Sequence, residues 1–463
     1  MSFFTSYLHN RSQRVVLNGI ESEWKNIEAG VPQGSVLGPL LFLVYINDLP
    51  ENILSNMKLF ADDSSLFTRV TSVNDTQHLL EKDLETVSKW GHQWKMVFNP
   101  DLSKQAVEVI FSCKRDKVEH PSLHFNGIPV ARVPFTKHLG LFLDEKLSFI
   151  KHTKEKISKA MKGIALLKFL SKFVTTDVLN MSYKLYIRPH LDYGDIIYHG
   201  QSAEMMVFLE QIQYKAALVI TGCWQGTNRD KLYNDLGWES LTDRRWYRRL
   251  CMFFKIRNHE TPRYLYDHLP PPRDLIYNLR NSRNYSVPHS RTSRFDNSFF
   301  PYCIKEWENL SDEIKISASL AEFKRKIISF IRPQGHPIFG ILDIKGTRIL
   351  NKLRVGFSDL RSHRYSHNFD CLSPSRGRNQ GCEDNVHFFL CCPHYRSIRI
   401  SLLGNISQIL GNDISVLPDQ YTIGIILNGS NVYNKITNRL ILSETIEYIR
   451  KSGRFVEIEA FNA

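Results

Sequence analysis

Two adjacent carboxylates, Asp62 and Asp63, stand between Lys58-Leu59-Phe60-Ala61 and Ser65-Leu66-Phe67-Thr68. Each flank reads as a short strand, which puts the pair at or near the tip of a β-hairpin. There both side chains can project into solvent or onto a metal. Hard cations such as Mg²⁺ take oxygen ligands and keep several waters, so one or two carboxylates plus a substrate phosphate make a site. Two-metal phosphoryl transfer uses carboxylates of this kind. Alone, an Asp-Asp pair is a weak signal, since most such pairs are ordinary solvated turns, so its neighbours must decide.

Upstream runs Gly30-Val31-Pro32-Gln33-Gly34-Ser35-Val36-Leu37-Gly38-Pro39-Leu40-Leu41-Phe42, continuing to Tyr45-Ile46-Asn47-Asp48-Leu49-Pro50. Downstream stand Asn99-Pro100-Asp101-Leu102-Ser103-Lys104 and His138-Leu139-Gly140. In that order the four blocks resemble motifs B, C, D and E in the palm of a reverse transcriptase from a non-LTR retrotransposon of the jockey-like, LINE-type group. The resemblance implies an RNA-directed DNA polymerase, a nucleotidyltransferase acting on an RNA template and a DNA primer with Mg²⁺. It gives Asp62 and Asp63 the role of metal-binding catalytic carboxylates. Gln33 and Gly34 would face the nucleotide or template, and Leu139 and Gly140 would form the primer grip. Lys104 would lie near the incoming triphosphate, where a lysine could protonate the pyrophosphate leaving group. The family places a further metal-binding aspartate, in motif A, some tens of residues before Tyr7. The chain is therefore expected to lack that aspartate and the fingers, and to be inactive alone. An active enzyme would need the missing segment in trans. The alternative is a nucleic-acid-binding remnant, or a module built on the palm scaffold without polymerase activity.

Length and composition fit this reading. The chain has 463 residues, enough for two or three domains with real cores. Its formal charge of +13 suits a polyanion partner, because phosphate contacts supply most non-specific affinity. No apolar run is long enough to span a bilayer, and Met1 to Tyr7 has neither a basic leader nor a long apolar stretch. The eight cysteines are spread too sparsely for a disulfide scaffold and favour a reducing compartment, nucleus or cytoplasm.

The elements that must hold these residues follow from the pattern. Arg14 to Leu17 reads as a strand closed by the turn pair Asn18-Gly19, with Trp24 to Ile27 returning. Pro39 suits a first helical position, and Leu40 to Asp48 reads as a buried helix ended by Pro50. Asn74 and Gln77 make a capping-box pattern. Leu80, Leu84, Val87, Trp90 and Trp94 follow at helical spacing and belong to a core stripe behind the hairpin. Val107 to Ser112 and His138 to Leu143 read as strands.

From Ser148 the character changes. Lys151, Lys154, Lys156, Lys159 and Lys162 interleave with Ile157, Met161 and Ile164 in an amphipathic basic helix. Val178 to Leu191 and Leu209 to Cys223 add two more helical patterns. In the family's terms this is a thumb, with Lys151, Lys154, Lys159 and Lys162 on the nucleic-acid backbone. Arg244-Arg245-Trp246-Tyr247-Arg248-Arg249 mixes guanidinium and aromatic groups that could grip phosphates and stack on exposed bases, or could equally be a short localisation signal or one face of an amphipathic helix running to Phe254. Pro270-Pro271-Pro272 marks a linker. Near the end, His387 and Cys392 are spaced for zinc, with Cys382 and Cys371 before them. Jockey-like elements often end in a Cys/His cluster similar to His-Phe-Phe-Leu-Cys-Cys-Pro here. The cysteine partners depart from that pattern, so a complete zinc set is not expected.

The expected fold is α+β: a partial reverse-transcriptase palm, then a helical thumb and a mostly helical C-terminal region. The expected boundaries are 1–147 for the palm, 148–268 for the thumb and basic region, 269–345 for a linker and helices, and 346–463 for the region with the Cys/His cluster.

Overall fold

The computed structural model describes residues 2–27, 30–32, 34–99, 106–114, 121–198, 203–271, 285–331, 341, 343–356, 360, 363, 384–430 and 432–455. The chain divides into two compact units, Met1–Lys151 and His152–Ala463. Among the described residues, no helix is long and apolar enough to cross a membrane.

The first unit mixes helices with short two-stranded sheets. Helix α1 (Ser2–Leu8) leads into β1 (Ser12–Gln13), β2 (Val16–Leu17), β3 (Ile20–Glu21) and β4 (Lys25–Asn26). β2 and β3 close over Asn18-Gly19 at φ 50° and 82°, the two-residue hairpin geometry that this dipeptide favours. β4 returns onto β1. Next come α2 (Gly38–Ile46), β5 (Asn56–Phe60), β6 (Asp63–Phe67) and α3 (Val73–Gln93). The unit continues through β7 (Val107–Glu108), β8 (His124–Phe125), β9 (Ile128–Pro129), β10 (Ala131–Arg132), β11 (Phe135–His138) and β12 (Leu141–Asp144).

Its core gathers Ile46, Leu49, Val87, Trp90 and Phe125, with Met57, Leu59, Leu66 and Leu84 packed against them. The apolar stripe of α3 thus covers the inner face of the β5–β6 hairpin. Four sequence expectations change here. α2 is apolar on every side, yet only Gly38 and Ile46 are buried, and Leu40, Leu43 and Val44 are exposed. Hydropathy without a polar face cannot tell which side packs. The cap of α3 is Ser72, whose hydroxyl accepts from Asp75 N–H, so Asn74 is the second residue of the helix and not its cap. The strand starting at Val107 spans only Val107–Glu108 and pairs in parallel with β10. His138 to Leu143 is not one strand: Leu139 and Gly140 form the turn between β11 and β12.

The second unit is helical. α4 (Ile150–Leu170), α5 (Thr176–Ser182), a π-helical turn at Tyr183–Ile187, α6 (Arg188–Asp192), α7 (Ala203–Thr221), α8 (Arg229–Leu236) and α9 (Leu241–Arg257) follow in order. Two cores hold the unit. One joins residues of α4 to α8 with the helices Ile344–Val355, Arg396–Leu410, Asp419–Asn428 and Lys435–Ser452. A paired Arg354–Asp235 bridge, with N···O distances of 2.9 and 3.0 Å, ties α8 to the first of these. The other core joins α9 to helices Phe299–Glu308 and Leu320–Ile331 around Trp307 and Phe323.

The arginine-aromatic stretch belongs to this packing and is not an open grip for phosphates. Arg245 and Arg249 are buried in α9. Arg244 pairs with Asp192 and Glu239, and Arg248 with Asp192 and Asp195. Trp246 Nε1 donates to Glu306 at 2.7 Å. Spacing of i and i+4 puts Arg245 and Arg249 on one helical face and Arg244 and Arg248 on the next. Glu239 stands just before α9, but Asp192 at the end of α6, Asp195 after it and Glu306 are too far along the chain for local pattern to show.

Asp195 is buried opposite Arg248 Nη2 at 3.4 Å, and burial pushes its carboxyl up to about 6. A folded-state value above the unfolded one favours folding in the protonated form. That contribution is lost as pH rises through about 6. Asp195→Asn is therefore expected to flatten the pH dependence of stability between pH 5 and 7. At pH 7.5 it should stabilise the fold by roughly 2 kcal/mol. Denaturant titrations of both proteins across that range check this.

Candidate active site

Asp62 and Asp63 lie at the tip of the β5–β6 hairpin. The strands pair in register from Asn56↔Phe67 to Phe60↔Asp63, leaving Ala61 and Asp62 as the two-residue connection. Both carboxylates are exposed, and neither forms a hydrogen bond or ion pair among the described residues. Two free carboxylates side by side are a donor set suited to a hard divalent cation. No group of three or more His, Cys, Asp and Glu side chains placed for a metal occurs among the described residues.

Ala61 takes φ 50°, a region that an L side chain enters at a cost of roughly 1 kcal/mol. Ala61→Gly should relieve it and stabilise the first unit by up to about 1 kcal/mol. A denaturant midpoint that stays put or falls would show that the tip is not strained.

Several residues outside the motifs hold the hairpin. Asp83, fully buried on α3, accepts from Leu54 N–H and Ser55 N–H at 2.8 Å each and so fixes the entry to β5. Trp90 Nε1 donates to Asp48 Oδ1 at 2.9 Å, and Tyr45 Oη donates to the Trp94 carbonyl. These bonds tie the end of the long glycine-rich block to α3. Asp83 was legible only as a carboxylate within an apolar stripe, one position before Leu84.

The glycine-rich block folds on itself before α2. Ser35 Oγ donates to the Pro32 carbonyl at 3.0 Å and accepts from Gly38 N–H at 2.9 Å. A Cβ on Gly38 would meet the Pro32 oxygen at 2.6 Å, so this approach needs glycine. Gly34 is exposed in the preceding turn at φ 78°. Gln33 lies outside the described residues, as does Lys104.

Leu139 and Gly140 form the β11–β12 turn at φ 46° and 80°. His138 Nδ1 stands 3.5 Å from Ser65 Oγ, bringing this hairpin beside the one that carries the carboxylates. Asp144 closes β12. Burial pushes its carboxyl up, but bonds from Ser148, Lys146 and Phe149 prevail and hold it below the usual range. That cap leads the chain directly into α4.

Lys151, Lys154, Lys159 and Lys162 are all exposed on α4. Lys151 Nζ sits over the Phe135 ring, 2.9 Å from its centroid, and Lys159 pairs with Glu155 at 2.8 Å. Lys154 and Lys162 have no acidic partner among the described residues.

Of the Cys/His cluster, Cys371 and Cys382 lie outside the described residues. His387 opens a π-helical turn ending at Cys391, and Cys392 N–H donates to the His387 carbonyl at 2.7 Å. Phe388 and Phe389 between them are buried against Tyr448. The aromatic pair is core, whatever its flanking cysteine and histidine bind.

Residues 2–130, which contain the carboxylate hairpin and the glycine-rich block, match the family model for reverse transcriptase (RNA-dependent DNA polymerase). The first unit therefore carries a reverse transcriptase domain. Over 298 residues, 62% of this chain, the sequence is 30% identical to the probable RNA-directed DNA polymerase from transposon X-element of Drosophila melanogaster. It is 28% identical over 254 residues, 52% of the chain, to the RNA-directed DNA polymerase from mobile element jockey of the same species. To the probable RNA-directed DNA polymerase from transposon BS it is 26% identical over 249 residues, 51% of the chain. Over these stretches the chain is similar to jockey-like, LINE-type reverse transcriptases of non-LTR retrotransposons. These alignments span 30%, 27% and 27% of the relatives' own lengths.

Proposed function

We propose that this chain supplies the Asp62–Asp63 part of the polymerising site of an RNA-directed DNA polymerase, together with a basic helix that holds the template–primer. The observation that carries this is the hairpin tip: two exposed, unpartnered carboxylates on a turn fixed from behind by α3. Asp62 and Asp63 would hold Mg²⁺, which would supply charge neutralisation on the triphosphate and activation of the primer hydroxyl. Gln33 and Gly34 would line the nucleotide side. Leu139 and Gly140 would touch the primer, and Lys104 would give a proton to the leaving group.

Two carboxylates are fewer acidic ligands than a two-metal site uses. We infer that a further one comes from a polymerase segment outside these 463 residues, on the same chain or on another. Lys154 and Lys162, free of ion pairs among the described residues, support the backbone-binding role of α4, with Lys151 and Lys159 beside them. Zinc on Cys371, Cys382, His387 and Cys392 would be a separate structural site, and the chemistry above does not use it. Primer extension on an RNA template, with Asp62→Asn and Asp63→Asn as controls, tests the reading. Duplex binding without extension under every condition would favour a nucleic-acid-binding module.

A further inference from the structure

Beyond the motif residues, two Lys-Phe pairs four residues apart span the end of α4, Lys168-Phe169 in its last turn and Lys172-Phe173 in the turn that follows. The Phe169 and Phe173 rings are 61% and 64% exposed, with centroids 5.3 Å apart. Lys168 and Lys172 are exposed and have no acidic partner among the described residues. Lysines at a helix C-terminus complement its dipole. That accounts for the charges and leaves two wet phenyl rings unexplained. From Ile150 to Asp192 the sequence holds eight lysines and one arginine against three acidic residues, so a partner here is anionic. Aromatic faces interleaved with unpaired cations suit a strand whose bases are free to stack and whose phosphates flank them.

We infer that the α4–α5 turn is a stacking surface for single-stranded nucleic acid, with Phe169 and Phe173 under bases and Lys168 and Lys172 on phosphates. The inference rests on the nucleic-acid reading above and extends it from a duplex to an unpaired strand.

The test uses the full chain with fluorescent 12-nucleotide RNA and DNA single strands, an RNA–DNA duplex and anionic phospholipid vesicles. Phe169→Ala with Phe173→Ala should weaken single-strand binding tenfold or more at fixed salt. It should leave the salt slope, duplex binding and circular dichroism unchanged. Phe169→Tyr with Phe173→Tyr should restore affinity. Lys168→Gln with Lys172→Gln should instead flatten the single-strand salt slope by about 1.4. A stronger effect on RNA than on DNA would identify the strand as RNA, and equal effects would assign either. Unchanged single-strand affinity in the alanine variant overturns the inference, as does an equal loss on duplex. Phenylalanine-dependent vesicle binding without single-strand binding would overturn it in favour of a lipid surface. If the parent chain binds duplex but the alanine variant is indistinguishable from it on single strands, only this inference fails. If the parent binds neither, the nucleic-acid reading fails as well.

Discussion

The purified 463-residue chain is expected to give no extension of a DNA primer on an RNA template, with Mg²⁺ or Mn²⁺. Adding a segment that carries a further metal-binding carboxylate should bring extension on. In-line attack on a triphosphate needs the nucleophile and leaving group aligned to within a fraction of an ångström, and a 1 Å misplacement alone can cost about 100-fold. Asp62 and Asp63 sit on one turn and approach from one side only. A cation held by them alone keeps the freedom that a ligand from a second strand would remove. Loss of that ligand should therefore cost more than 100-fold. In the complemented reaction, Asp62→Asn should abolish product while leaving template–primer binding intact. Extension by the chain alone that vanishes in Asp62→Asn would show that the site is already complete.

The second large effect is on salt. Binding of template–primer should fall steeply from 50 to 200 mM salt, because each phosphate neutralised releases a counterion. Replacing Lys151, Lys154, Lys159 and Lys162 together with Gln should flatten the slope of log K against log salt by up to about 3.6 on a duplex of B-DNA charge density. The structure divides that effect unevenly. Lys154 and Lys162 are free to meet phosphate, whereas Lys159 is engaged by Glu155 and Lys151 by the Phe135 ring. The Lys154→Gln, Lys162→Gln pair should account for at least half of the change. A slope that these two leave unmoved would place the duplex elsewhere.

What was legible in the sequence had a local cause. Asn18-Gly19 announced its turn, and the period of Leu84, Val87 and Trp90 announced the covered side of α3. The carboxylate pair was placed by strand residues on either side of it. What was not legible depended on partners distant in sequence. The glycine-rich helix offered no polar face by which to choose its buried side. Leu139 gave no warning of a turn, since leucine at positive φ is a poor turn residue held there by its surroundings. The arginines of α9 looked like a phosphate grip because Asp192, Asp195 and Glu306, which occupy that stretch, belong to other segments. Asp83 hid among apolar neighbours, although it caps the backbone leading to the hairpin.

The central claim is that the hairpin tip holds the divalent cation. Fe²⁺ substituted for Mg²⁺, with peroxide and ascorbate, cuts the backbone near where it binds. With template–primer, a non-hydrolysable triphosphate and the complementing segment present, cleavage should centre on residues 60–64 and disappear in Asp62→Asn and Asp63→Asn. Cleavage elsewhere, or cleavage at the tip that both variants retain, would contradict the assignment.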